Sequence, residues 1–354
     1  MNKKLCGLII LVLFMVLLAG CMNNVDVLNK KVDKKQEEVQ KPLVDISDKY
    51  SSNIKPNELG QVMILMYHGI GSKEDEWTRT PENFRKDLET LYKKGYRLIG
   101  LKDLIDNNIN IPAGYTPVVI TFDDGRRGQF NLIEKDGKLE VDRNSAVGIL
   151  EDFYKEHSDF GLKATFFIYY PVPFEQKEYI EYKLKYLVDK GFEIGNHTYN
   201  HDSLNKMDAQ GIQKTLALNV FNTQKYLKDY SVDILALPYG IMPQKNLRNL
   251  VIDGEWNGIR YHNRAILLVG ANPSYSPYDK RFNPYRLPRI RASEIKTSNL
   301  GLYDWLKFFD KHPEMRYISD GDPNTITIPE NLKDRVISLN DKRLKVYTVS
   351  NSSK

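Results

Sequence analysis

From residue 61 onward, short apolar runs alternate with amphipathic stretches. Six runs rich in β-branched and aromatic residues, at 62–68, 117–124, 163–170, 192–197, 233–240 and 263–270, have the length of strands. Between and around them, 81–95, 145–157, 175–191 and 208–230 space their apolar residues as helices burying one face do. Pro81 opens the first of these, and three of the four end at or near a glycine before the next strand. The alternation predicts a parallel α/β architecture. The segment 283–294 holds too many prolines for an ordinary central strand. Beyond it, 300–312 predicts a helix and 343–349 a closing strand.

The pattern is different before residue 58. Residues 22–57 are charged and too poor in apolar groups to build a core, so they read as a tether. Residues 1–20 place Lys3 and Lys4 before an apolar run with small residues at its end, the layout of a secretory signal. Residues 18–21, Leu-Ala-Gly-Cys, resemble a bacterial lipobox, which implies cleavage before Cys21 and a lipid on its thiol. An uncleaved anchor is the alternative, for which the apolar stretch is short. Either way the rest of the chain lies outside the cytoplasm. The expected organisation is a signal at 1–20, a lipidated tether at 21–57 and one domain at 58–354 with a C-terminal extension from about 296. Membrane attachment through Cys21 and an otherwise monomeric protein are expected.

Charge and cysteine usage narrow the chemistry. The 354 residues carry a net charge of +5. Loss of residues 1–20 removes two lysines and no acids, leaving 49 basic against 46 acidic residues, or +3. That is too mild for a nucleic-acid partner. The two cysteines are Cys6 and Cys21, so the domain has no thiol, and a metal site there must use His, Asp or Glu.

The polar residues that interrupt the strands fall at their C-terminal ends: His68, Asp123 with Asp124, His197, and Tyr239 after Pro238. In parallel α/β barrels that rim is where sites are built. Adjacent carboxylates at a strand end point in different directions, so Asp123 and Asp124 can divide proton transfer and metal binding between them; Gly125 allows a sharp exit. His197 and His201, four apart, are close enough to grip one cation. The intervening Thr-Tyr-Asn lacks the glutamate of helical metalloproteases. With Asp124 as third ligand, Asp-His-His leaves positions for water and substrate.

In this order and spacing, TFDDG (121–125), HTYNH (197–201) and LPYG (237–240) resemble the motifs of the NodB-type polysaccharide deacetylases, carbohydrate esterase family 4, over about residues 60–295. The resemblance implies a distorted (β/α) barrel of about seven strands. It implies Asp123 as catalytic base, Asp124, His197 and His201 as ligands of one divalent metal, and Pro238 and Tyr239 lining the acetyl group, with the Tyr239 N–H at the oxyanion. Zinc is the foremost metal, with cobalt, nickel or iron as alternatives.

Two departures stand out. The family's third motif commonly begins with an arginine that orients the base, where this chain has Ala236, and no late Leu-x-His supplies a general acid; only His262 and His312 follow His201. The early run ending in His68 offers a replacement, because in a closed barrel the first strand neighbours the last. That arrangement resembles the permuted branch of exported biofilm poly-N-acetylglucosamine deacetylases, which also have a non-arginine third motif and a late Leu-Pro-Arg-Ile. It implies His68 as the acid and Arg289 as the residue orienting Asp123, with Arg291 as rival. The expected activity is N-deacetylation of an N-acetylglucosamine polymer, poly-N-acetylglucosamine foremost. The alternatives are an O-acetyl esterase on wall or xylan-like glycans and a catalytically impaired glycan-binding lipoprotein. Aromatic residues in 166–174 and 272–285 are expected to serve a sugar polymer where they are exposed.

Overall fold

A computed structural model describes residues 55–337, 339 and 342–348. The signal, the lipidation site and residues 21–54 of the tether lie outside the described residues. Among the described residues no helix is long and apolar enough to cross a membrane.

The core sheet is parallel. Its strands are β1 (Met63–Tyr67), β2 (Tyr96–Leu98), β3 (Thr116–Asp124), β4 (Thr165–Ile168), β5 (Glu193–Asn196), β6 (Ile234–Ala236), β7 (Ala265–Leu267) and β8 (Ile290–Arg291). Seven of them run in the order β7-β6-β5-β4-β3-β1-β8, and β2 adds to the start of β3. Helices α1 (Pro81–Lys93), α2 (Leu101–Ile105), α3 (Ala146–Glu156), α4 (Ile180–Asp189) and α5 (Ala209–Tyr226) connect the strands, and α6 (Leu302–Lys311) follows the last. Sequence signals explain the starts of several helices. Thr80, Ser145 and Asp208 cap α1, α3 and α5 by accepting backbone N–H groups of the first turn.

The sheet curls until its ends meet. Leu65 of β1 pairs with Ile290 of β8, while Leu287, just upstream, bridges Leu267 of β7. Leu268 N–H donates to Leu287 O, and Leu287 N–H to Ile266 O. The proline-rich segment 283–294 therefore joins the first and last strands of the curl, in pairings short enough to tolerate Pro284 and Pro288. Arg343–Tyr347 has a different place from the one expected: as β10 it pairs with β9 (Thr325–Pro329) in a separate two-stranded sheet. Its alternating apolar residues do form a strand, but 287–291 already occupies the position beside β1.

The C-terminal extension grips the start of the domain. Asn57 N–H donates to Ile318 O, Glu58 N–H to Thr327 O, and Tyr347 Oη to Pro56 O. Asn57 and Glu58 are buried, so ordered structure reaches upstream of residue 58.

Strand interiors are mostly apolar, as burial on both faces demands; Val118, Val119 and Ile120 of β3 are each fully buried. Most aromatic side chains of 166–174 belong to this core, with Phe166, Phe167 and Phe174 fully buried, while half-buried Tyr169 packs against His201 with ring centroids 5.6 Å apart. The expectation of sugar-facing aromatics in 272–285 is corrected: Tyr278 is buried with its hydroxyl on Asn107 O, and Tyr275, Phe282 and Tyr285 are half-buried. Tyr278 and Phe282 pack with Ile326 and Ile328 of the C-terminal extension, and Tyr285 packs on the cluster that holds Leu235 and Ile266. The aromatics that do stand exposed include Trp77 and Tyr239.

Candidate active site

At the C-terminal rim, β3 places Asp123 and Asp124 with opposite surroundings. Asp123 is buried at 1% exposure, and Arg289, itself fully buried, donates from both terminal nitrogens to its two oxygens at 2.6 Å. The same guanidinium donates to Thr121 Oγ1 and Leu268 O, so every edge of the fork is held. Burial pushes the Asp123 carboxyl upward, but the charges of Arg289 and His197 and the Arg289 hydrogen bonds outweigh it and hold the carboxyl below its ordinary value. Arg291 faces elsewhere, donating to Glu76 Oε1 and stacking over Trp77.

Asp124 and Gly125 both take left-handed backbone, φ 80° and 62°. Holding a non-glycine residue there stores strain of a kind that gathers at functional sites. At Gly125 the glycine is needed twice over, since a Cβ would also press on Ile168 Cγ2 at 3.2 Å. The turn aims Asp124 Oδ1 at two imidazoles: His197 Nε2 at 3.5 Å and His201 Nε2 at 3.4 Å. His197 Nδ1 meets the Ala236 carbonyl at 2.8 Å. A carbonyl only accepts, so Nδ1 carries the proton and Nε2 turns its lone pair toward Asp124. His201 Nδ1 contacts Tyr239 Oη at 3.2 Å, and the two rings pack edge to face. Burial raises the Asp124 carboxyl, yet the imidazoles of His197 and His68 and the Arg126 guanidinium beside it hold it well below its usual range. Burial, then the neighbouring His197, lowers His201.

These three donor atoms lie within 4.8 Å of one another. One ionised carboxylate and two imidazole nitrogens, one with its tautomer fixed by a backbone carbonyl, fit a divalent transition metal.

His68, just after β1, brings Nε2 to 4.0 Å from Asp123 Oδ2. Burial pushes its imidazole down to about 4, against the opposing pull of Asp123 and Asp124. Pro238 is buried, while Tyr239 stands 60% exposed beside the histidines in left-handed backbone. His262 and His312 are on the surface, paired with Asp253 and Glu314, and neither joins the cluster. A groove of about 1200 Å³, lined by Gln61 and Tyr347 among others, holds none of the predicted site residues.

Three further residues join the site without a sequence signal of their own. Gln129 donates from Nε2 to the carbonyls of His68 and Asp123, tying two strand ends together. Trp77 packs on His68 with ring centroids 4.8 Å apart. Arg126 donates from Nε to Asp124 Oδ2 at 2.8 Å, and its terminal nitrogen lies at the same distance.

Residues 111–251, covering the carboxylate pair, both histidines and the Pro238–Gly240 turn, match the model of the polysaccharide deacetylase family. That stretch is similar to a polysaccharide deacetylase domain. The Bacillus subtilis protein YxkH, provisionally named as a polysaccharide deacetylase, is 27% identical over 214 residues, 57% of this chain. That alignment spans 66% of YxkH, just under two thirds of its length. Among solved structures, the deacetylase PplD of Streptococcus pyogenes in complex with acetate aligns with 70% of this chain and 97% of its own, at 18% identity and a TM-score of 0.50. BC0361, a polysaccharide deacetylase from Bacillus cereus, aligns with 70% of this chain and 68% of its own, at 17% identity and a TM-score of 0.51. At such identities these two likenesses establish the shared fold of the deacetylase domain and its curled parallel sheet.

Proposed function

We propose that this protein is a metal-dependent hydrolase that removes N-acetyl groups from an N-acetylglucosamine polymer outside the cytoplasm, poly-N-acetylglucosamine foremost. Attachment to the membrane through a lipid on Cys21 belongs to the same reading. One observation carries it: the buried Arg289–Asp123 pair stands beside the Asp124, His197 and His201 cluster, with His68 at 4.0 Å from the same carboxylate. A base, an acid and a cation site thus share one rim.

Asp124 Oδ1, His197 Nε2 and His201 Nε2 would hold the metal, which supplies Lewis acidity to a bound water and to the acetyl carbonyl. Asp123, kept ionised and fixed in plane by Arg289, takes a proton from the attacking water. The water oxygen bonds to the acetyl carbon, and the Tyr239 N–H steadies the oxyanion. Cleavage of the carbon–nitrogen bond needs a proton on the departing nitrogen. His68 enters the reaction neutral at pH 7, so it delivers the proton that Asp123 collected. Acetate leaves and the amine stays on the sugar, with one water consumed.

The impaired-module alternative arose from Ala236. Here position 236 contributes its carbonyl, which any residue provides, and Arg289 reaches Asp123 from the 287–291 segment. An esterase reading draws its support from the neutral His68, because an alkoxide leaves with less help than an amide nitrogen. Acetate release from poly-β-1,6-N-acetylglucosamine, peptidoglycan and O-acetylated xylan oligosaccharides separates these readings. Release from the first substrate above the other two supports the proposal; release confined to O-acetylated xylan overturns it.

A further inference from the structure

Arg126 stands where the exit from β3 folds back on itself. The left-handed pair Asp124 and Gly125 reverses the chain, and the Arg126 side chain returns over the carboxylate it follows. Both of its contacts go to one oxygen, Oδ2, at 2.8 Å. The other oxygen, Oδ1, is the one facing His197 and His201. The Arg126 side chain is 42% exposed and contributes nothing to the core, so folding alone does not explain the pairing.

We infer that Arg126 is a positioning residue that tunes the cation site: it reserves Oδ2 of Asp124 for itself, confines the carboxylate to one ligand oxygen, and lowers affinity for the metal through its own charge. This rests on the metal-centre reading above. Two physical effects follow. A carboxylate that ligates through one oxygen leaves more coordination positions for water and substrate than a chelating one. A fixed positive charge beside a dication repels it, and partial exposure of Arg126 screens that repulsion without abolishing it. The arrangement therefore exchanges tight binding for an open and more electrophilic cation.

The test is calorimetric titration of zinc and cobalt(II) into metal-stripped wild type, Arg126→Gln and Arg126→Lys, with Asp124→Asn as control. Glutamine keeps a donor and loses the charge; lysine keeps the charge. Arg126→Gln is expected to bind about threefold to tenfold more tightly than wild type, the size of one screened unit charge acting on a dication at this range. Arg126→Lys is expected to stay within about twofold of wild type. The visible cobalt(II) spectrum supplies a second readout: freeing Oδ2 raises the coordination number, so the Arg126→Gln absorption should weaken. Equal or weaker binding by Arg126→Gln overturns the proposal, as does a lysine variant that tightens as much as the glutamine one. If wild type itself takes up no cation, or Asp124→Asn binds as well as wild type, the metal-centre reading has failed instead. Because the side chain is exposed, circular dichroism of all four proteins should coincide; if Arg126→Gln alone unfolds, Arg126 is a structural residue and the inference is wrong.

Discussion

Arg289 and Asp123, 166 residues apart in sequence, meet in a two-armed ion pair from which water is excluded on both sides. The guanidinium reaches the carboxylate from the segment that joins β7 to β1, so the pair reports the curl of the sheet and fixes the carboxylate proposed as base. Removing one partner leaves a buried charge alone, which costs about 3–5 kcal/mol. Arg289→Met should therefore lower the thermal midpoint strongly and abolish activity. The double variant Arg289→Met/Asp123→Asn should recover much of the stability and none of the activity. Thermal denaturation of the cycle checks this: additive losses mean that the pair is uncoupled.

His68 distinguishes amide from ester chemistry. His68→Ala should hydrolyse the acetamide about 10²- to 10⁴-fold more slowly, the range for one acid–base group, and should keep most of its rate on an acetate ester with a leaving group that needs no proton. Asp123→Asn should fail on both substrates. Equal loss on the two substrates by His68→Ala makes His68 a structural residue.

The difference between what could and could not be read from the chain has a physical basis. All six strand runs were legible because apolar residues dominate them, and the motif residues were legible because they interrupt those runs. β2 was not: Tyr96–Leu98 holds an arginine, and Arg97 is buried only because Tyr92 and Tyr115 cover its guanidinium and Asp159 accepts from it. The choice between Arg289 and Arg291 lay beyond sequence as well, since two arginines two apart on an extended segment share a face. Only the partners separate them, Asp123 for one and Glu76 for the other. Arg343–Tyr347 failed for the converse reason. Its composition specifies a strand, but no local pattern says which sheet receives it.

The cation site should couple to stability. A metal bound only by the folded protein raises the midpoint by mass action, by about 2.7 kcal/mol at a hundredfold excess over its dissociation constant. Chelation should lower the wild-type midpoint and leave His197→Ala, already without metal, unmoved. Elemental analysis checks occupancy; equal metal in wild type and His197→Ala contradicts the ligand set.

Glu58 predicts a pH dependence remote from the site. Its carboxylate accepts from Thr327 N–H and Tyr317 Oη, and burial, opposed by the Thr327 hydrogen bond and reinforced by Asp320, pushes it up to about 7. A folded-state value above the unfolded one means that its stabilisation is complete below about 4.5 and lost as pH rises through about 7. Between pH 5 and 8 the wild type should therefore lose stability that Glu58→Gln does not lose. Parallel pH profiles of the two proteins in chemical denaturation contradict the assignment.

The central claim is that this rim performs metal-dependent N-deacetylation, and acetate release from poly-β-1,6-N-acetylglucosamine tests it most directly. Purified wild type should release acetate, stop on exhaustive chelation, and resume when zinc or cobalt is restored, while Asp123→Asn with metal bound stays silent. Acetate release that survives removal of the metal, or fully metal-loaded wild type that releases none, contradicts it.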